Sequence, residues 1–458
     1  MLKYKLLLFV LVSMITVSCK KGWIEIKSNK SLDTPNTVED FQALLDYTTN
    51  MNENRPSIGE VSADNYYVPY TSWQTWTPYN KSAYMWNADI YNNSTTDNVN
   101  WNYSYRQVFY SNIVLDGIDD VESIRKSTME WNNVKGSALY FRGEAFFNVS
   151  QIYTRPYSLT FPDNAGIPLR LNADPNDKSV RASLKDTYQQ IVQDLKGSLN
   201  YLPDVPVYKQ RPSKPAAYAL LSRIYLVMQD YPNALMYADS CLKKVDSILD
   251  YNTLKSTVNF PIPGLNKEVI FQATISDDLQ GLLGVNCIVD STLYKSYDNN
   301  DLRKTLFYKA GSPGQMNFIG TYTGGTASTT SKAFGGIATD EVYLTRAECY
   351  ARTGNVAAAM SDLNKLMIAR WKTGTFVPFT AAGATDALAI ILRERRKETP
   401  FRGLRWLDLR RLNSEGDNIT LTRTVNGQQY SLPPNDLRYA LSIPPDVISL
   451  SGMTQNDR

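Results

Sequence analysis

The sequence contains no histidine. That absence removes Ser-His-Asp and Cys-His nucleophile pairs, His-containing zinc sites and a histidine general base. Cysteine is scarce, with 4 in 458 residues, too few for a disulfide-built scaffold or an iron–sulfur protein. An excess of either charge is also missing, with Lys+Arg 48 against Asp+Glu 45. A nearly neutral chain offers no electrostatic case for nucleic acid. There is no Gly-rich phosphate loop and no metal-ligand cluster, so the sequence implies no cofactor and no metal. No residue stands out as catalytic. A glycosidase carboxylate pair would be distant in sequence, and nothing points to one.

A hydrophobic run long enough to span a membrane is absent too. The stretch Leu6 to Val12 is apolar, whereas a spanning helix needs about 20 apolar residues. Lys3 and Lys5 before it, and small residues up to Cys19 after it, read as a secretory signal over residues 1–18. The end of this signal resembles a bacterial lipobox, in which Cys19 becomes the lipidated first residue, although Thr16 stands where Leu is usual. Acyl chains on Cys19 would hold the protein at a membrane, each buried CH₂ adding about 0.8 kcal/mol. Loss of Lys3 and Lys5 with the signal lowers the formal net charge from +3 to about +1. Cys241, Cys287 and Cys349 remain and read as small buried apolar residues. Residues 19–36 form a tether, and 37–458 are expected to form a single domain.

Tyrosine is what the chain has in abundance, 30 against 15 Phe. A flat apolar face with a polar tip favours wet aromatic surfaces over an oily core. Thr37 opens a helical stretch at Val38–Leu45, and helical spacing returns from Trp101 to Ile118. Further helices run from about Asn132 to Tyr153 and, capped by Ser183, to about Leu202. Two later segments share a pattern. Tyr225, Ala234 and Cys241 are spaced as Tyr350, Ala359 and Leu366 are, nine and then seven positions apart. This is the spacing of tetratricopeptide helix pairs, in which small residues let two helices approach closely. About 95 residues separate the two segments, so a simple solenoid is not expected. The fold class is mainly α: tetratricopeptide-like helix pairs form a scaffold that carries a few short strands and long irregular insertions at about 52–95 and 246–338.

Residues 66–105 hold twelve aromatics, centred on Trp73-Gln74-Thr75-Trp76-Thr77-Pro78-Tyr79-Asn80. Polar residues separate the rings, and Pro78 is expected to prevent a regular helix. Flat aromatics suit the C–H face of a pyranose, and amides such as Gln74 and Asn80 suit its hydroxyl rim. Trp73, Trp76 and Tyr79 either face a ligand or pack the loop onto the helices; Trp86, Trp101 and Tyr105 read as packing. Tyr322 lies in Gly320-Thr321-Tyr322-Thr323-Gly324-Gly325, which reads as an exposed, mobile loop. Asp298-Asn299-Asn300-Asp301 lacks the pattern of a calcium loop and reads as a solvated turn. The run from Leu392 to Arg411 has eight basic and three acidic residues. It reads as an ion-pair network between helices.

Glu394-Arg395-Arg396-Lys397-Glu398 followed by Arg402-Gly403-Leu404-Arg405-Trp406-Leu407-Asp408-Leu409-Arg410-Arg411 resembles the RagB/SusD family of outer-membrane nutrient-binding lipoproteins. So do Arg142-Gly143-Glu144-Ala145-Phe146-Phe147, Glu341 to Glu348, Trp101 to Asn112 and Ile443-Pro444-Pro445-Asp446. Arg402 departs from the acidic residue the family typically has there. The resemblance implies a non-enzymatic, lipid-anchored protein of the outer membrane that faces the cell exterior. It would cap a TonB-dependent, SusC-like transporter barrel and deliver an oligosaccharide or other oligomer to it. Carried over by region, the ligand contacts would be Trp73, Trp76, Tyr79 and Asn80 from the first insertion and Tyr322 from the second. A peptide-binding member of the same family and a helical-repeat envelope adaptor are the alternatives.

Overall fold

The computed structural model describes residues 34–91, 99–276, 287–325 and 332–458. The signal sequence, Cys19, most of the tether and short parts of both insertions lie outside the described residues. Five short helices come first: α1 (Val38–Leu45), α2 (Thr48–Met51), α3 (Ile58–Ser62), α4 (Tyr70–Gln74) and α5 (Pro78–Tyr84). The long helices α6 (Val99–Gly117), α7 (Met129–Tyr153), α8 (Leu184–Ser198), α9 (Lys214–Val227) and α10 (Tyr231–Leu242) follow. After the second insertion, which holds α11 (Ser291–Lys295) and α12 (Arg303–Leu306), come α13 (Thr339–Arg352), α14 (Val356–Met367), α15 (Ala384–Glu398), α16 (Arg405–Glu415) and α17 (Pro445–Ser451). The fold is mainly helical, as the spacing predicts.

Side chains set the helix starts. Thr128 accepts from the Trp131 N–H, so α7 begins at Met129, three residues before the periodicity suggests. Ser183 caps α8, and Ser213 caps α9 with Pro215 in its first turn. Between α13 and α14, Gly354 takes a left-handed φ of +84° and Asn355 caps the next helix. Pro78 does not prevent a helix; it starts one. Its missing N–H costs nothing at the first helical position, and Thr77 caps the turn through the Asn80 N–H.

The helices stack α6 on α7, α7 on α8 and α9 on α10; α10 then packs on α13, and α13 on α14 and α15. The two tetratricopeptide-like pairs are thus neighbours in space although an insertion separates them in sequence. The insertion leaves the stack and returns to it through the β4 (Val269–Phe271) to β8 (Ile337–Ala338) pairing. All ten strands occur as two-stranded antiparallel ribbons among the described residues. The buried apolar side chains form one connected cluster from Val38 to Ile443. Cys241, Cys287 and Cys349 lie in it unbridged, and burial pushes the thiols of Cys241 and Cys287 up to about 12.

The arginine-rich run forms the inner end of α15, a turn, and α16. Arg303, fully buried, pairs with Asp301, Glu394 and Glu398. Arg370 joins Glu398 to Glu268, and Arg411 joins Asp408 to Glu348. Burial alone would raise Asp301 and Glu394, but Arg303 beside them holds both below the ordinary carboxylate value. The Asp298 to Asp301 turn is therefore only half solvated, since Asp301 belongs to this buried network.

Candidate functional site

The first insertion folds against β9 (Leu421–Val425) and β10 (Gln428–Leu432), a hairpin far along the chain. Arg423 of β9 reaches into the insertion. Its guanidinium carbon lies 3.8 Å from the Tyr84 ring centre, 4.6 Å from Trp86 and 5.6 Å from Tyr66. It also donates to the carbonyls of Val61, Ala63 and Tyr84. The Val68 N–H donates to the Tyr84 hydroxyl at 3.0 Å, and Trp86 Nε1 donates to the Ser62 carbonyl at 2.9 Å. These contacts turn an irregular stretch into a rigid floor of rings.

Trp76 belongs to that floor. It meets Tyr84 edge-on at 5.5 Å and is 6% exposed. Tyr79 lies on Tyr91 at 5.2 Å and accepts from Asn100, and Asn80 is buried in the same turn. Trp73 sits higher, half-buried, on α4. Tyr70, one helical turn earlier, stacks against it at 5.7 Å with an interplanar angle of 21°. Lys81 Nζ lies 5.2 Å from the Trp73 ring centre and donates to the Gln74 carbonyl, which steadies the indole. Tyr67, on β1 (Tyr66–Tyr67), and Tyr70 are 42% and 38% exposed. Of the rings between residues 66 and 91, Tyr67, Tyr70 and Trp73 are the ones not buried, and together they are termed an aromatic ledge on the buried floor. The spacing of Tyr70 and Trp73, i and i+3 within Tyr70–Gln74, is the signal in sequence that would have paired them.

The two insertions meet here. β1 pairs with β5 (Ile288–Val289) through Tyr66 opposite Val289. A line of ring contacts continues from Tyr66 to Phe401, Phe318, Tyr308 and Tyr294. Phe401 takes a left-handed φ of 58° and stacks on Phe318 at 4.6 Å. That conformation is uncommon for a bulky residue and is held by the packing.

Tyr322 does not join this ledge. The Gly320 to Gly324 segment is buried rather than exposed, because its glycines allow close approach: a Cβ on Gly320 would lie 2.5 Å from the Phe307 ring. The Tyr322 hydroxyl donates into the ion-pair network, 2.6 Å from Glu268 and 3.1 Å from Asp340, and lies 2.8 Å from the Tyr251 hydroxyl. Burial raises Glu268 despite Arg370 beside it, whereas Arg402 holds Asp340 down against its burial. Glu268 and Asp340 share one hydroxyl, yet both are sealed from solvent and bound to arginines, so neither can meet a substrate.

A separate cleft of about 730 Å³ lies between α6, the loop after β2 (Ala165–Pro168) and α17. Trp101, Tyr105, Phe109, Arg170, Val447 and Leu450 line it. Trp101 and Tyr105 pack as expected: their rings meet at a tilt with centres 4.8 Å apart, and the Tyr105 hydroxyl donates to the Pro168 carbonyl. Among the described residues, no group of three or more Cys, Asp or Glu is placed to hold a metal ion, and no helix is long and apolar enough to cross a membrane.

The fold and the ledge define a helical-repeat scaffold that presents aromatic side chains on irregular insertions. Residues 22–226 match the family model described as starch-binding associating with outer membrane, and residues 266–450 match the SusD family model. The chain belongs to the SusD/RagB family. No curated protein sequence matches it. Among solved structures it resembles a SusD superfamily protein from Bacteroides thetaiotaomicron VPI-5482, with 22% identity and a TM-score of 0.76 over 92% of this chain and 100% of that one. It also resembles a SusD-like carbohydrate binding protein from Bacteroides vulgatus ATCC 8482, with 20% identity and a TM-score of 0.67 over 91% of this chain and 97% of that one. A laminarin binding SusD-like protein is 16% identical, with a TM-score of 0.64 over 92% of this chain and 99% of that one. At these identities the likeness is one of fold.

Proposed function

We propose that the chain is a cell-surface lipoprotein that binds a glycan on the Tyr67, Tyr70 and Trp73 ledge and delivers it to a TonB-dependent outer-membrane transporter. The observation that carries this reading is the stacked Tyr70–Trp73 pair, in which Tyr70 is 38% exposed and Trp73 half-buried, with Lys81 against the indole and the core packed beneath it. A flat, rigid aromatic surface with hydroxyl and amide groups at its edge matches the two-sided chemistry of a pyranose. Membership of a family described as starch-binding and associated with the outer membrane supports the same ligand class, as does the laminarin-binding relative.

In this reading Trp73 is the principal ligand contact. Trp76, Tyr79 and Asn80 hold the ledge from beneath, and Tyr322 stabilises the scaffold without taking part in binding. Cys19 carries the lipid anchor that keeps the domain on the outer face of the outer membrane, and a SusC-like barrel is the partner. The chain binds and hands over; no residue is assigned to catalysis.

Calorimetric titration of the mature chain against a panel of oligosaccharides tests the proposal. A saturable heat with one glycan class, lost in Trp73→Ala, is the expected result. Binding of peptides with no glycan response would replace the ligand class, and Trp73→Ala binding as tightly as wild type would move the site.

A further inference from the structure

The turn between α15 and α16 carries a feature that glycan binding does not use. Arg402 sits between two residues in the left-handed region, Phe401 and Gly403, and is 7% exposed. One guanidinium nitrogen, Nη1, donates to Asp340 at 2.6 Å. The plane lies against Tyr322 and Phe334, 4.7 and 5.1 Å from their ring centres, so it cannot swing away. The other edge, Nε with Nη2, has no hydrogen-bond partner among the described residues. That edge is the one with which arginine grips anions in bidentate fashion. The indole N–H of Trp406, which is fully buried, is likewise without a partner.

Both side chains line a narrow cleft of about 50 Å³ between α3, α7 and this turn. Arg55 and Arg223 line it too, each already bonded to a carboxylate, Glu144 and Glu341, outside the lining. The acidic residue of the lining is Glu60, and its oxygens are committed to the Asn65 amide and the Gly403 N–H. Each arginine charge is thus matched by a carboxylate, but three donor nitrogens, Arg402 Nε and Nη2 and Trp406 Nε1, are left without an acceptor, which is costly for buried groups and more so for a charged one. The volume admits an ion with one or two waters but not a sugar ring.

We propose that this cleft binds a small monovalent anion of halide size, with the free edge of Arg402 and the Trp406 N–H as donors. The ion ties α3, α7 and the turn together beneath the first insertion.

Crystals of the mature chain soaked in bromide, together with thermal melts in potassium chloride against potassium gluconate at equal ionic strength, test this. Gluconate is too large to enter. The expected results are an anomalous bromide peak within hydrogen-bond distance of Arg402 Nε and Nη2, and a melting temperature higher by about 3 °C when chloride is a hundredfold above its Kd. Trp406→Phe, which keeps an aromatic ring but loses the N–H with the smaller half of the indole, should shrink the chloride-specific rise measured against its own melt in gluconate. An ordered water with no bromide peak overturns the proposal. A bromide peak without a chloride-specific rise means binding at crystal concentration only, and overturns it as well.

Discussion

Arg423 reaches from the C-terminal hairpin to place its guanidinium 3.8 Å from the centre of the Tyr84 ring, 339 positions earlier in the chain. The same group bonds three backbone carbonyls of the first insertion. Lysine keeps the charge but has neither the flat face nor the forked donors. Arg423→Lys should therefore leave buried carbonyls unpaired and lower stability by roughly 2–4 kcal/mol. Denaturant melts measure this, and ligand affinity should fall alongside as the ledge loosens. A stability equal to wild type would show that the insertion holds itself together without the hairpin.

Trp73 and Trp76 lie three residues apart but do different work. Trp73 is half-buried on the ledge, and Trp76 is packed beneath Tyr84. Trp76→Ala should cost about 3–5 kcal/mol, the range for a buried tryptophan. Trp73→Ala should cost much less stability yet weaken glycan affinity at least tenfold, read by calorimetry beside thermal melts. Phe109→Ala, in the α6 cleft, is the control. If Phe109→Ala abolishes binding while Trp73→Ala does not, the 730 Å³ cleft is the ligand site.

The helix pairs were legible because their signal is local. Tyr225, Ala234 and Cys241 repeat as Tyr350, Ala359 and Leu366, and close helix contact needs only that spacing. The arginine-rich run was legible for a similar reason, since its acids and bases alternate on facing helices. Ring exposure was not. Trp76 is buried against Tyr84, which Arg423 holds in place, and no pattern within residues 66–91 reveals so distant a partner. Tyr322 misled for another reason. Glycines on both sides read as a mobile loop, whereas here they let the chain lie tightly against Phe307 and Gly264. Pro78 read as a breaker because its effect depends on position: at the first residue of α5 it is compatible with a helix.

The Tyr322 hydroxyl is the shared donor for Glu268 and Asp340. Tyr322→Phe keeps the ring under Arg402 and removes that proton donor together with the acceptor for the Tyr251 hydroxyl. Two buried carboxylate oxygens then lose a partner, and stability should fall by about 1–3 kcal/mol. Glycan affinity should be unchanged, because Tyr322 is sealed from solvent. Calorimetry showing a tenfold affinity loss in a variant that melts like wild type would return Tyr322 to the ligand site.

The acid limb of stability follows from the same network. Burial would raise Asp408, but Arg395 and Arg411 hold it down to about 2, from an ordinary 3.8. A depressed carboxylate stabilises the fold above its unfolded value and loses that contribution as pH falls through the folded one. Asp301, Glu348 and Glu394 are lowered by the arginines around them against their burial, so they act in the same direction. Glu60 and Glu268 are raised, chiefly by burial, and act the opposite way: they favour the fold while protonated and weaken it as they ionise above their unfolded value. Stability should therefore drop steeply between about pH 4 and pH 2, with Asp408 alone contributing on the order of 2 kcal/mol. No histidine is present to titrate between pH 6 and 7. Urea melts from pH 2.5 to 8 read this profile directly. Asp408→Asn should flatten the acid limb while lowering the plateau, because Arg395 and Arg411 would then be buried without their shared counter-charge. An acid limb of unchanged steepness in that variant would remove Asp408 from the account and leave the limb to the Arg303 cluster.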